Sequence, residues 1–370
     1  MVLSIPAAAF EPDAVERALP DPAAARAALG AAAARLDALL ALQRERFGAL
    51  AGERGEARFL ERCLDALALC HARLAFRHGT LGDDFHAYHN EGHIAEICGG
   101  RIGRLSAAPG ADALDLRDWG ALLLFGAAHD LRQRESGPAF AGIGANECAS
   151  LAEAWRILDA CGFSREADAD TYLALELMIA GSTFDAAPLP GAHRLNAADL
   201  VQSGGALAAR LDRVLDGLGG ESRQDARVRH ALDLALIAAD LDTANVAEPL
   251  LAFADGSERL CRERERLAGR ELGAAESARP VLAFLTAGQL RFFFELHDFH
   301  SDLGRAAFAA GKQANAAPLR ALALGVRARL AVHGIPPDGE AVIAAWRAGA
   351  ASVAAGGRAA PPPLSFADEA

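Results

Sequence analysis

The chain has 370 residues, of which 52% are hydrophobic, and this is enough to bury a large core in one or two domains. It carries 49 acidic and 37 basic side chains, a formal charge of −12, without a dense run of Lys and Arg. This balance argues against a protein that binds nucleic acid. Because no apolar run is long enough to span a bilayer and no secretory signal is visible, we expect a cytoplasmic protein with no membrane partner.

Helical patterns dominate the chain, whereas strand patterns are weak. The apolar runs at 115–130 and 225–240 have helical character, and each ends on an acidic residue. Between them, Leu151 and Trp155 recur at helical spacing, and Gly162 stands where that helix would stop. Only two tyrosines are present, and alternating Val, Ile and Thr are missing. The sequence therefore predicts an all-α protein.

Composition also suggests how the chain is organised. Residues 1–70 belong to an Ala- and Arg-rich helical lead-in that we expect to pack on or cap the core. Residues 71–335 would form the main domain, and residues 336–370 a last helix with a disordered tail rich in Pro and Ala. The six cysteines form no CxxC pair and lie mostly in apolar helical patterns, so we expect reduced thiols in the core.

The segment AYHNEGHIAEI, residues 87–97, places two histidines four residues apart. If the segment is helical, His89 and His93 face the same side and can share a metal or a proton. Taken alone, the pair is equally well explained as capping or core histidines.

Acidic residues that follow apolar helical runs supply further candidates for the same site. His129 and Asp130 end the run LLLFGAAHD, and a charge buried there is costly unless something pairs with it. Asp199 and Asp240 each follow another apolar run. A lone His–Asp dipeptide carries little weight, but with His93 the set becomes two imidazoles and two carboxylates, which suits Zn, Fe, Mn or Mg.

The order YHNxxH, then HD, then Asp resembles the HD-domain metal-dependent phosphohydrolases. It resembles most closely the catalytic domain of the class I cyclic-nucleotide phosphodiesterases, whose signature begins with YHNxxH. The segments IAADLDTAN (237–245), SERLCRERERLAGREL (257–272) and FLTAGQLRFFFELHDF (284–299) are similar to later parts of that domain. The resemblance covers about residues 70–305 and is strongest at the first two motifs. It implies a multi-helix bundle of the HD-domain and phosphodiesterase type.

The resemblance implies a metal-dependent phosphodiesterase with two divalent ions, Zn, Mg, Mn or Fe, that acts on a nucleotide-like phosphate ester. A hydroxide between the metals would attack phosphorus, and His89 would protonate the departing oxygen. Assembly as a homodimer stays open. The residues implied are the metal ligands His93, His129, Asp130 and Asp240; the catalytic groups His89 and Glu147; the substrate-contacting or supporting residues Tyr88 and Asn90; and the base-binding residues Gln289 and Phe292.

Several positions depart from the family or leave alternatives open. Asp199 competes with Asp240 for the last ligand; we prefer Asp240, because it ends a strongly helical run. Arg132 or Arg134, after the His–Asp pair, would contact a phosphate or lie on the surface. A second cluster receives no metal in this interpretation, because large apolar residues flank it. Its members are His297, Asp298, His300 and Asp302.

Two other classes of function remain open. A non-catalytic HD-fold protein that binds a nucleotide or a partner would keep its metal without turnover. A di-iron oxygenase would use the same ligands for iron and consume oxygen with its substrate. We prefer the hydrolase, because His89 has an evident use in ester cleavage.

Overall fold

The computed structural model describes residues 10–133, 144–186, 201–217 and 224–356. The described residues are helical apart from one short antiparallel pair of strands, β1 (Phe184–Ala186) and β2 (Val201–Ala206). The all-α prediction is therefore confirmed in its coarse form. The helices are α1 (Ala14–Ala18), α2 (Pro22–Leu29), α3 (Ala33–Arg54), α4 (Ala57–Arg77), α5 (Glu91–Ile94), α6 (Ile102–Ser106), α7 (Leu116–Ala128), α8 (Ala145–Ala160), α9 (Ala169–Ser182), α10 (Leu211–Gly217), α11 (Ala226–Asp242), α12 (Leu250–Leu267), α13 (Ala278–Ala283), α14 (Gln289–Arg291), α15 (Asp302–His333) and α16 (Gly339–Ala354).

The chain divides into two compact units whose boundaries differ from the expected ones. The first contains the described residues up to Ala244 together with Asp298–Phe308. The second contains Asn245–His297 and the described residues from Ala309 onward. The expected tail at 357–370, Arg134 and Asp199 lie outside the described residues.

Four helices form the core of the first unit. Helix α4 packs against α7, and α9 packs against α7 and α11. The described length of α7 is almost entirely buried, because its sequence LRDWGALLLFGAA is apolar on all sides. Asp115 caps its N-terminus in a reciprocal capping box with Asp118. The capping box fixes the N-terminal end of α7, and the His–Asp pair follows its buried C-terminal end.

The N-terminal segment is part of this first unit and reaches into its core. The carboxylate of Glu16 in α1 is buried and accepts hydrogen bonds from Arg73, Arg132 and Arg156. Glu153 of α8 accepts from Arg73 as well, at 3.1 Å. Buried charges of both signs therefore neutralise one another. Arg132 is buried in this cluster, so it does not lie on the surface; its contact with a phosphate stays a prediction.

The second unit has its own core around α12, α13 and α16. Trp346 is fully buried and donates from its indole nitrogen to the Ala254 carbonyl at 3.0 Å. The buried Glu258 accepts hydrogen bonds from Arg262 and Arg347. The charged stretch of α12 is therefore tied into the core of this unit by its acidic residues.

Two further expectations can be compared with the structure. All six cysteines, which lie in described parts of the chain, are free; five are buried and Cys161 is partly exposed. No helix of the described residues combines the length and the apolar character that crossing a membrane requires.

Candidate metal centre

The first ligand candidate, His93, is held by a short capped helix. Asn90 caps α5: its Oδ1 accepts from the Gly92 amide at 2.8 Å, and its Nδ2 donates to the His86 carbonyl at 2.6 Å. Both ends of the Asn90 side chain are therefore used by the backbone. Asn90 thus orients the segment that carries His93. The π-helical stretch that follows, Ala95–Arg101, is a feature often found next to functional sites.

The pair His129 and Asp130 follows the last turn of α7. His129 Nδ1 lies 3.1 Å from the Phe125 carbonyl, and the Phe125 ring stacks on the imidazole. Asp130 Oδ1 accepts a hydrogen bond from Gln133 at 3.1 Å, which leaves Oδ2 to face the histidines. The chain beyond is fixed, since Arg77 donates to the Leu131 carbonyl. Both side chains are thus oriented by the fold.

The carboxylate that completes the cluster belongs to Asp242, the last residue of α11. Arg101 is almost fully buried and donates to the Leu241 carbonyl at 3.1 Å and to the Asp242 carbonyl. This contact joins residues about 140 positions apart in sequence and sets the end of α11 against the segment that carries His93. Arg101 is therefore a positioning residue for the cluster.

His93, His129 and Asp242 converge at distances typical of one coordination sphere, and Asp130 Oδ2 adjoins both imidazoles. His129 Nε2 lies 3.0 Å from Asp130 Oδ2 and 3.3 Å from Asp242 Oδ1. His93 Nε2 lies 3.7 Å and 3.5 Å from the same two oxygens. Metal–ligand bonds of about 2.0–2.2 Å place neighbouring donors about 3.0–3.5 Å apart. The ligand atoms of His93, His129 and Asp242 all lie within 4.8 Å of one another.

The hydrogen-bonding of the histidines supports a cation at this place. Because a carbonyl can only accept, Nδ1 of His129 carries a hydrogen, and Nε2 faces two carboxylates with room for either a second proton or a metal between them. Among the described residues, Nε2 of His93 and Nε2 of His129 are buried and have no hydrogen-bond partner. A lone pair that faces carboxylates is repelled unless a cation or a proton lies between them. The donor set fits a divalent metal.

Electrostatic interactions within the cluster shift its protonation equilibria. Burial would lower the pKa of His129, but the charges of Asp130 and Asp242 outweigh it and raise that pKa well above its usual value. Burial would raise the pKa of Asp130, but the charges of His129 and His89 lower it to about 2. Both carboxylates therefore stay ionised at neutral pH and are ready to bind a cation.

Asp240 does not take the ligand role expected for it. Its fully buried carboxylate accepts hydrogen bonds from the His300 and Ser301 amides, both at 2.8 Å, and from the Ser301 hydroxyl at 2.6 Å. It is thereby satisfied by protein donors. Since residues two apart on a helix point in nearly opposite directions, Asp240 and Asp242 cannot both face the imidazoles. The structure brings Asp242 to that position.

Two predicted catalytic side chains lie next to the cluster. His89 Nε2 is 3.8 Å from Asp130 Oδ2, and the ring is partly exposed. Burial raises the pKa of Glu147, and the charge of Asp130 raises it further, so this carboxyl favours its protonated form more than an ordinary Glu. A Cβ added to Gly144 would come within 2.2 Å of Glu147 Oε2, so the glycine gives the carboxyl room.

The ring of Tyr88 forms one wall of the cluster. It is buried, and its centroid lies 4.7 Å from that of His93 and 5.0 Å from that of His89. Burial raises the pKa of the Tyr88 hydroxyl to about 12, against the opposing charge of Arg101. The phenol therefore stays neutral, and its ring packs against that of His93.

The predicted base-binding residues belong to the second unit. Gln289 is buried, and its Oε1 lies 3.1 Å from the Ser257 hydroxyl. Phe292 is partly exposed, and its ring packs edge-on to that of His297. A contact of either residue with the metal cluster stays a prediction. The second His–Asp segment is divided between the units, and its exposed Asp302 pairs with Arg305.

Sequence reasoning missed Asp242 and one other group. Asp242 stands in the same ADLD segment as the preferred residue, and only its helical phase relative to Asp240 separates the two. The other group, His78, Asp84 and His86, is a second set of described residues whose ligand atoms lie within 4.8 Å of one another. The sequence pattern that could have identified this group is three potential ligands within nine residues, just before the YHNxxH motif.

Comparisons with known proteins add no family to this description. No family model matches the chain, and neither a curated protein nor a solved structure matches it.

Proposed function

We propose that this protein is a metal-dependent phosphohydrolase of the HD type, a phosphodiesterase that cleaves a cyclic nucleotide or a related nucleotide ester. The observation that carries the proposal is the convergence of four donors, His93, His129, Asp130 and Asp242, at 3.0–3.7 Å with two buried imidazole nitrogens facing the carboxylates. The resemblance of the YHNxxH and HD motifs supports the reaction class.

The two imidazoles and the two carboxylates would hold the metal. Divalent ions bound there supply a water of lowered pKa and neutralise charge on the phosphate. The carboxylates suit this task because their negative charge favours the cation, and the Nδ1 contact of His129 fixes the tautomer that binds it. Arg101 keeps the end of α11, and with it Asp242, in place.

His89 would serve as the general acid. It lies at the edge of the cluster, 3.8 Å from Asp130, and it is partly exposed, so a substrate can reach its ring. The carboxylate of Asp130 favours the imidazolium form, which holds the proton that the departing alkoxide needs. Glu147, whose pKa burial raises, would hold or exchange a proton beside it. Tyr88 would exclude water from the other side of His93.

The nucleotide part of the proposal depends on Gln289 and Phe292. A buried amide and a partly exposed ring, three residues apart on the chain, are the groups that bind the edge and the face of a base. If the ester carries no base, these two residues keep their packing roles in the second unit and the hydrolase proposal is unaffected.

The proposal is tested by turnover of a small panel of esters by the protein loaded with Mn, Mg, Zn or Fe. The panel holds cyclic AMP, cyclic GMP, nucleoside monophosphates and bis(p-nitrophenyl) phosphate. We expect hydrolysis of at least one diester, and we expect His89→Gln to lower kcat by about 10²- to 10⁴-fold with the metal content unchanged, as for loss of a general acid.

His230→Gln is the matched control, because this exposed histidine lies on α11 and pairs with Asp118 at 2.6 Å, away from the cluster. Turnover in the control should equal that of the parent protein. Retention of metal without turnover of any ester would favour the binding role. Oxygen consumption by the iron-loaded protein with an organic substrate would favour the oxygenase.

A further inference from the structure

A second cluster of potential ligands lies in the turn that follows α4. His78 stands at the C-terminal end of α4, and Asp84 and His86 follow in the next loop. His78 Nδ1 lies 3.4 Å from Asp84 Oδ2, and His86 Nε2 lies 3.3 Å from the same oxygen. The two imidazole rings are 4.1 Å apart between centroids. These are again the spacings of donors around one cation.

The loop that carries these residues is held by its backbone. The His86 amide donates to the His78 carbonyl at 2.8 Å and closes the turn. The loop lies so close to the end of α4 that a Cβ on Gly82 would come within 2.7 Å of the Phe76 carbonyl. At its other side, Thr80 donates from its amide and its hydroxyl to Glu91. The ligand candidates are therefore preorganised.

Two of the three side chains are buried and one is exposed to solvent, so a metal ion can reach the cluster from the solvent side. His78 and His86 are buried, at 5% and 1% exposure, whereas the Asp84 side chain is 40% exposed. Neutral imidazoles inside and a carboxylate at the surface form a two-His, one-carboxylate set, which is a donor set for Zn and other first-row transition metals. Water can complete the coordination from the solvent side.

His78 is buried, and its Nδ1 lies 3.4 Å from the Asp84 carbonyl oxygen as well as from the Asp84 carboxylate. If Nδ1 carries the hydrogen, the lone pair of Nε2 is buried without a hydrogen-bond partner among the described residues. If Nε2 carries it, the lone pair of Nδ1 faces the Asp84 carboxylate at 3.4 Å. A cation between Nδ1 and Oδ2 removes the repulsion of the second form.

From this geometry we infer that His78, Asp84 and His86 form a second, separate binding site for a transition-metal ion of the Zn²⁺ class. The site is independent of the cluster at His93, since it shares no ligand with it. A metal there would fix the loop that leads directly into Tyr88 and His89. It would act as a structural clamp and would take no part in the chemistry of the proposed hydrolase.

The test is the amount of Zn²⁺ bound by the chelator-stripped, full-length protein after equilibrium dialysis. We expect Asp84→Asn to lose about one Zn²⁺ per chain, since one site is removed. Asp83→Asn, which changes the exposed neighbouring acid, should lose none. With Co²⁺, Asp84→Asn should also lose part of the visible absorption. His86→Gln serves as a second variant, and circular dichroism in chelator shows whether each variant is folded.

The same measurements in the His93→Gln/Asp242→Asn background separate this site from the proposed active site. About one Zn²⁺ should remain there, and Asp84→Asn should remove it. Equal Zn²⁺ content in the Asp83→Asn and Asp84→Asn variants, in both backgrounds, would overturn the inference and leave the proposed function standing. Loss of Zn²⁺ in Asp84→Asn together with no loss from His93→Gln/Asp242→Asn would instead contradict the proposed active site.

Discussion

Two carboxylates at the end of α11 have opposite surroundings. Asp240 accepts three hydrogen bonds from the segment at Ser301, at 2.6–2.8 Å, and is buried completely. Asp242 faces two imidazole nitrogens at 3.3 and 3.5 Å, and no comparable set of amide donors reaches it from the described residues. The first carboxylate is satisfied by the protein. The second stands where only a proton or a metal can complete the contacts.

This difference separates a structural buried charge from a metal ligand. A buried carboxylate that accepts several backbone hydrogen bonds is stable without a cation. A carboxylate that faces buried nitrogen lone pairs is not. The helical run and the neighbouring Asp residues are the same for both, so the surrounding donors decide the role.

The largest effect is expected from the metal-facing member of the pair. Asp242→Asn removes one charge and one ligand oxygen, so we expect metal affinity to fall by more than about 100-fold, beyond the 10- to 100-fold typical of supporting residues. Any turnover should be lost with the metal. Isothermal titration with Zn²⁺ and Mn²⁺ measures the affinity. Unchanged affinity would remove Asp242 from the ligand set.

The structural member should show the reverse pattern. Asp240→Asn places an amide group against the backbone N–H groups of His300 and Ser301, so one buried donor loses its acceptor. We expect the free energy of unfolding to fall by about 3 kcal/mol, with metal affinity changed little. Urea unfolding in the presence of chelator measures the stability. A selective loss of metal in a stable Asp240→Asn protein would restore Asp240 as the ligand.

Arg101 should have an intermediate effect, because it acts through the backbone of Asp242. Arg101→Gln removes the donors to the Leu241 and Asp242 carbonyls. We expect metal affinity to fall by about 10- to 100-fold, as for other residues that orient ligands. Because this role is positional, Arg101→Lys should restore part of the affinity. An affinity equal to that of the parent in both variants would show that the end of α11 is fixed without Arg101.

The smallest effect concerns a third carboxylate, Asp13, which like Asp240 has protein donors. Burial would raise its pKa, but the hydrogen bond and charge of Arg77 lower it to about 2. A depressed pKa stabilises the fold above the unfolded value near pH 4, and that stability is lost as the pH falls toward 2. Asp13→Asn keeps the helix cap. The loss of unfolding free energy between pH 4 and pH 2 should therefore be smaller in this variant than in the parent, by at most about 2 kcal/mol.

Urea unfolding between pH 4 and pH 2 measures this contribution with and without chelator. The result should not depend on the chelator, since Asp13 binds no metal in this interpretation. A slope that is as steep in Asp13→Asn as in the parent would assign the acid sensitivity to other carboxylates.

The sequence by itself determined the helical class and three of the four members of the candidate metal cluster. Apolar residues at helical spacing predicted α7 and α11, whereas the helical spacing expected for His89 and His93 is not present, because α5 begins at Glu91, after His89. His129 and Asp130 were identifiable because a charged pair that ends an apolar helix needs a partner. These are local properties, which a single segment contains completely.

Only the tertiary structure decided between Asp240 and Asp242. Two residues of one helix differ in direction by about 200°, and which direction faces the histidines depends on how α11 packs. The donors that satisfy Asp240 come from residues 60 positions away, and Arg101 reaches the end of α11 across 140 positions. Such partners are set by the packing of the whole unit, which no local pattern records.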